Sequence, residues 1–382
     1  MPNSVRNGRI DLLRGVSILA VLLLHFSLSY DLVDSPLSRI LPPSWLRRAV
    51  LNGNYGVTIF FVISGFLITS NILRRYNHLS AVDCRQFYAF RASRIMPPLL
   101  LALLVIVPLG LVGVPSFRNS DGGHTMAASF FVPATLSVLT FWHNVLMQSN
   151  GWFNYSLNIY WSLSVEEMFY LGFPLVCVLL RRQALVLALC SVFIVAGPVY
   201  RGMHANDELY FECGYLACFD AIAIGCVTAL LYRRIQRSAW FGRPAQVFAV
   251  FLLIVTYLMG IDGHETWGFS VVALCAAVLI GGAFGHAPPC ADGRLSNTVR
   301  WMGRHSYELY LFHIIVLAGI RNLVPKGTMS YEYKLPSLTL FMGASALLAA
   351  GVARHFSNPI NLHLRHLALR LTRPLRRSSP AA

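Results

Sequence analysis

The sequence predicts an all-α polytopic integral membrane protein with about ten transmembrane helices plus one re-entrant segment, and three observations predict it. Of the 382 residues, 56% are apolar and only 12% charged, with a mean hydropathy of +0.57. Apolar runs of about 17 to 23 residues recur along the chain, each long enough to cross a ~30 Å hydrocarbon core at ~1.5 Å per residue. Basic residues divide unequally between alternate loops, which is the signature of oriented insertion. These features leave no room for a separate soluble domain.

Taken in order, the spans are expected near residues 10–30, 54–73, 95–114, 164–180, 184–200, 211–232, 245–261, 267–285, 303–323 and 335–353. An eleventh run, "MAASFFVPATLSVLTFWHNVLM" at residues 126–147, is also apolar enough to cross, and charge decides against it. With ten spans, 22 of the 31 Lys and Arg face the cytoplasm and 8 the opposite side, with Arg14 inside the first span. Crossing at 126–147 would change the division to 11 inside against 19 outside. The rule therefore favours ten spans, both termini cytoplasmic, and a re-entrant or surface-lying segment. Residues 1–357 read as a membrane domain and 358–382 as a basic cytoplasmic tail lying against anionic lipid.

The net charge of +15 does not point to nucleic acid, because the basic residues sit in short loops rather than on one basic domain. The eight cysteines include no C-x-x-C pair, so neither a zinc site nor a disulfide framework is implied. Arg6, Arg9 and the following apolar stretch loosely imitate a cleaved signal peptide, but Arg14 interrupts that stretch and the next span follows at once.

Several segments carry polar groups where lipid would exclude them. "IDLLRGVSILAVLLLHF" places Arg14 and His25 eleven residues apart, within ~20° of the same helix face and ~16 Å apart along the axis, with Asp11 one turn below. Snorkelling of Arg14 towards the headgroups and an ordinary interhelical bond for His25 would explain them; intramembrane ionisable groups also mark substrate pathways. In "NIYWSLSVEEMFYLGFP", Glu166 and Glu167 point ~100° apart, so one is expected to face the interior and the other the surface. "FRASRIMPPLL" sets Arg91 and Arg94 on one face at the cytoplasmic start of the third span, as positive-inside anchors or a phosphate-binding pair at a tunnel mouth. In "SYELYLFH", Ser306, Tyr310 and His313 fall at i, i+4 and i+7 on one face, a pattern that interhelical hydrogen bonding alone can explain. Asp220 in "FDAIAIG" is a further buried ionisable group, expected to pair structurally or line a wall.

Together these segments resemble the bacterial membrane-bound acyltransferase 3 family, which includes O-antigen acetylases, Nod-factor acetyltransferases and macrolide acyltransferases. The resemblance runs in order through Arg14 and His25 as an R-x10-H pair, "GVTIFFVISGFLIT", "RASRIMPP" as an R-x-x-R element, "WSLSVEEMFY", "DAIAIG" and "SYELYLFH". It departs at Met168, where Gln is frequent, at Cys218 and Phe219, where an Arg would stand, and at Ser357, where Glu precedes Pro.

The resemblance implies transfer of an acyl group, usually acetyl, from cytosolic acyl-CoA to a hydroxyl of a glycan or glycolipid. The setting it implies is the bacterial cytoplasmic (inner) membrane. It carries over functional roles to Arg14, His25, Arg91, Arg94 and Glu166, with Ser306, Tyr310, His313 and Asp220 in support. His25 suits a general base, Glu166 would orient it or pair with an interior Arg, and Arg14 would hold CoA or stabilise the acyl carbonyl. Arg91 and Arg94 would bind CoA phosphates, and the reaction requires no metal. The chain closes on its basic tail, so the extracytoplasmic hydrolase-like domain of some O-antigen acetylases is expected to be absent. The rival reading is a transporter or flippase for a lipid-linked glycan or acyl carrier, using the same buried groups as a relay.

A C-terminal fluorescent-protein fusion is expected to fluoresce and a C-terminal alkaline phosphatase fusion to be inactive. The reverse pattern would place the carboxyl terminus outside and refute the ten-span topology.

Overall fold

The computed structural model describes residues 7–121, 123–237, 242–282 and 293–371. Arg6, Cys290 and the tail beyond residue 371 lie outside the described residues. The helices, in chain order, are α1 (Gly8–Tyr30), α2 (Pro43–Leu51), α3 (Asn54–Tyr76), α4 (Cys84–Leu111), α5 (Phe131–Leu139), α6 (His143–Asn150), α7 (Trp161–Leu180) and α8 (Gln183–Met203). They continue with α9 (Glu208–Phe211), α10 (Tyr215–Arg237), α11 (Arg243–Met259), α12 (Gly268–Gly282), α13 (Arg294–Arg304), α14 (Ser306–Leu323), α15 (Lys334–Val352) and α16 (Asn358–Leu371). The only β-structure among the described residues is a two-residue antiparallel pairing of Ser120–Asp121 with His124–Thr125.

Seven helical stretches among the described residues are long and apolar enough to cross a membrane by length and composition. The other three expected spans, near 245–261, 267–285 and 303–323, correspond to α11, α12 and α14. The first two are apolar but short, at 17 and 15 residues, and α14 carries Glu308, His313 and Arg321. Residues 126–147 do not form one span: α5 and α6 have 9 and 8 residues, ~13 Å each, too short for a ~30 Å core. The break between them is fixed by Phe141 at φ 64, by Trp142 N–H donating to the Ser137 carbonyl, and by a 2.8 Å bond between Ser137 Oγ and His143 Nδ1.

Polarity is turned inside out, as a lipid solvent demands. Arg201 is fully buried while Leu104 and Leu347 are 70% and 77% exposed, so the charged groups are inside and the aliphatic ones coat the exterior. α1 packs against α3, α13 and α14. Small residues allow the closest approaches: a Cβ on Gly65 of α3 would strike the Ile222 carbonyl of α10, and one on Gly225 of α10 would strike the Val62 carbonyl of α3.

One expectation changes. Arg201, one of the eight basic residues counted on the side opposite the cytoplasm, lies in the last turn of α8 and forms a 2.7 Å ion pair with Asp220 of α10. Ser270 Oγ binds the same carboxylate oxygen at 2.7 Å, and Arg201 also donates to the Thr266 and Ala217 carbonyls. The cation missing beside Asp220 in its own segment is thus supplied by α8. α15 runs through a π-helical turn at Ala353–Ser357 into α16, which packs along α4, with Ser93 Oγ donating to Asn361 Oδ1 at 3.0 Å.

Arg201→Ala would leave the Asp220 carboxylate buried without its partner. It is expected to destabilise the detergent-solubilised protein by about 3 to 5 kcal/mol, whereas the paired replacement Arg201→Met with Asp220→Leu should restore most of the loss. Thermal unfolding of both variants checks this.

Candidate active site

The charged groups converge along one column between α1, α4, α7 and α14, with α3 behind; the end where α1 begins is termed proximal. Asp83 caps α4 by accepting from Gln86 N–H, so the helix starts at Cys84 and carries Arg91 and Arg94 about 10 and 15 Å into its length. The R-x-x-R element therefore lies within α4, about two to three turns from its start. The structure does not present its two members as a pair.

Arg91 is engaged with carboxylates. Its Nη2 donates to Glu166 Oε1 at 3.1 Å and to Glu167 Oε1 at 3.3 Å, and its guanidinium lies 3.4 Å from the centroid of the Tyr170 ring. Glu166 Oε1 also accepts from Ser64 Oγ of α3 and from Tyr170 Oη, each at 2.5 Å. Glu166 thus takes the second of its two expected roles, pairing with an interior Arg. Glu167 corrects the expectation that one of the doublet would sit at the surface, since it is only 5% exposed. The two carboxylates diverge by ~100° about the helix axis, and the multi-donor guanidinium enters between them. Glu167 was visible in the sequence as half of an acidic doublet, but nothing there placed a cation opposite its gap. Arg94, one turn on, is exposed and makes no hydrogen bond or ion pair among the described residues.

Further along the column, Arg14 Nε donates to Ser306 Oγ at 3.1 Å. Its direction is towards α14, because the chain breaks at His305 and starts a new helix at Ser306. Tyr307 Oη donates to the Ile95 carbonyl at 2.9 Å, fixing α14 against α4. Tyr310 Oη donates to the Ile159 carbonyl at 2.7 Å and accepts from Ser162 Oγ at 2.6 Å, fixing α14 against the start of α7. Of the expected triplet, Ser306 and His313 thus meet α1 and Tyr310 meets α7.

At the distal end of the column are two histidines, on α1 and α14. The buried His313 has its Nδ1 at 3.0 Å from the Leu309 carbonyl and 2.8 Å from that of Tyr310, so this nitrogen carries the hydrogen. Its Nε2 is then an acceptor, and it stands 3.3 Å from His25 Nδ1. His25 Nδ1 also lies 2.9 Å from the Val21 carbonyl, so its hydrogen is shared between that oxygen and His313. By elimination, His25 Nε2 keeps the free lone pair. One turn on, Ser29 Oγ is 3.0 Å from Tyr155 Oη, and the Arg321 guanidinium lies 3.8 Å from the Tyr155 ring centroid. Burial holds the Tyr155 phenol above its ordinary pKa, with Arg321 opposing, so it remains a neutral hydroxyl at pH 7.

Asp220 bonds to none of these side chains. A separate cleft beside it is lined by Asn54, Thr58, Trp161, Glu212, Cys218 and Phe269.

With this geometry established, comparisons with known proteins give a consistent answer. The family described as an acyltransferase domain matches residues 7–355. The chain is 23% identical over 373 residues to the O-acetyltransferase OatA of Staphylococcus aureus strain NCTC 8325, covering 92% of this chain and 56% of the relative. It is likewise 23% identical over 359 residues to a putative O-acetyltransferase of S. aureus strain COL, covering 87% of this chain and 54% of the relative. The chain thus spans about half the length of the curated relatives it matches. No solved structure matches.

Removing Arg91 leaves two carboxylates facing one another in a mostly dry site. Arg91→Ala is expected to lower stability by ~3 kcal/mol, and adding Glu167→Gln should recover part of it, because one of the stranded charges is then gone. Unfolding midpoints of the two variants in detergent test the assignment; equal midpoints would show that the triad carries no such energy.

Proposed function

Because this chain belongs to the acyltransferase 3 family, we propose that it is a membrane O-acyltransferase, moving an acyl group, acetyl in the first instance, from cytosolic acyl-CoA to a hydroxyl of a glycan or glycolipid. The observation that carries this reading is the His25–His313 pair, which leaves a basic nitrogen free at the distal end of the polar column. The proposed setting is the bacterial cytoplasmic membrane with both termini in the cytoplasm, so the column opens towards acyl-CoA at its proximal end.

In this mechanism His25 Nε2 takes the proton of the acceptor hydroxyl as its oxygen attacks the thioester carbonyl. The tetrahedral intermediate collapses with cleavage of the C–S bond, and the departing thiolate takes the proton back from the imidazolium to leave as CoA–SH. His313 is a positioning residue: it accepts the His25 Nδ1 hydrogen, holds the ring in the required tautomer, and steadies the imidazolium while it exists. This is the orienting part a carboxylate plays in a Ser-His-Asp triad, here played by a neutral group.

The column also sorts the arginines. Arg14 lies ~16 Å from His25 along α1, too far to stabilise an oxyanion there, so it is assigned to the pantetheine arm of the donor. Arg91 is assigned to architecture, since both carboxylates occupy it. Arg94 keeps an open guanidinium for a donor phosphate. Glu166 acts by holding Arg91, Ser64 and Tyr170 in place. The external stretches 31–53 and 115–163 are assigned to acceptor specificity.

Membranes given acetyl-labelled acetyl-CoA and glycans of the native host are expected to accumulate base-labile label in the glycan fraction. His25→Ala should reduce that label by about 10²- to 10⁴-fold, the usual contribution of general base catalysis. Undiminished labelling at matched expression would remove His25 from the chemistry, and absence of label from wild type would favour glycan transport instead.

A further inference from the structure

We infer that Arg75, Phe90 and Arg365 form a phosphate clamp that receives the nucleotide phosphates of the acyl-CoA donor before its arm enters the column. The inference rests on the donor named in the proposed function and adds a site that lies outside the R-x-x-R element.

Two arginines from separate helices converge on one aromatic ring. Arg75, in the last turn of α3, and Arg365, in α16, each hold their guanidinium carbon 4.7 Å from the Phe90 centroid. Both are exposed, and among the described residues neither makes an ion pair with a carboxylate. Two like charges drawn to one ring, with no anion between them, repel one another. A cation–π contact at an exposed site offsets little of that repulsion. An arrangement of this kind is completed by a ligand that carries several negative charges close together.

Its position identifies which anion. Phe90 is four residues before Arg94, so the two share a face of α4, with Arg94 ~6 Å deeper. Arg94 is itself exposed and unpaired among the described residues, so three cations stand along one stretch of α4, Arg75 and Arg365 at Phe90 and Arg94 about one turn on. This convergence is not legible in the sequence, because Arg75 and Arg365 are 290 positions apart and each reads as a loop or tail anchor. α16 brings Arg365 there only because it docks on α4 through Asn361 and Ser93. A guanidinium pair binds phosphate from two sources equally well, a donor nucleotide or an anionic lipid headgroup, and the continuity with Arg94 favours the nucleotide.

The test is direct binding to the purified full-length protein in detergent, by calorimetry, with CoA, dephospho-CoA and pantetheine as probes. The Arg75→Gln, Arg365→Gln double variant is compared with wild type after its thermal midpoint is shown to be unchanged. Wild type is expected to bind CoA at least tenfold more tightly than pantetheine, and the double variant to lose most of that preference. A double variant that keeps the wild-type preference overturns the clamp while leaving the proposed reaction standing. Wild-type protein that binds none of the three probes overturns the reading of the donor itself. The lipid source is separated by repeating the titration in phosphatidylcholine vesicles with and without phosphatidylglycerol. A defect of the variant seen only with phosphatidylglycerol, with equal CoA preference in its absence, assigns the arginines to lipid and overturns the donor clamp.

Discussion

The fork between Arg91, Glu166 and Glu167 is the interaction on which the rest of the site depends. It joins α4 to α7, and through Ser64 it adds α3, so three helices have their register set by one guanidinium. In water such a network would be worth little; in a bundle whose exterior is lipid-coated, an unpaired member would have nowhere to find a partner. Tyr170 closes the group by donating to Glu166 and lying against the Arg91 face. With α4 and α7 so fixed, α14 can dock on both through Tyr307 and Tyr310. Only then does His313 arrive beside His25.

That order explains why the same residue types behave so differently. Arg201 and Arg91 are consumed by carboxylates and shape the bundle, Arg14 is held by a serine hydroxyl, and Arg94 remains open. A membrane protein tolerates each only where its charge is met by a carboxylate, a hydroxyl or a ligand, so the quality of the partner separates scaffold from binding group. The histidines follow the same logic. His313 is satisfied at both nitrogens and completely buried, whereas His25 is satisfied at one and partly exposed. Under the proposed function, this asymmetry assigns orientation to one ring and proton transfer to the other.

The column has a direction. Exposed cations at its proximal end give way to hydroxyl and phenol groups, then to the two imidazoles, and beyond them to Tyr155 and Arg321. Under the proposed function, this gradient suits a donor that is anionic at one end and reactive at the other.

Much of this was legible in the sequence, for reasons that are local. Hydropathy located the spans because lipid selects for apolar length, and the charge balance kept residues 126–147 from being a crossing. The eleven-residue spacing of Arg14 and His25 fixed a common face because helical geometry is the same in every helix. What the tertiary structure alone decided were the partners. That Glu167 is buried, that Arg201 rather than a nearer residue meets Asp220, that His313 sets the tautomer of His25, and that Arg365 reaches Phe90 all depend on how helices distant in sequence cross. A sequence specifies which side chains share a face, through short-range geometry; which faces meet is set by the packing of the whole bundle, because every buried charge has to be answered at once.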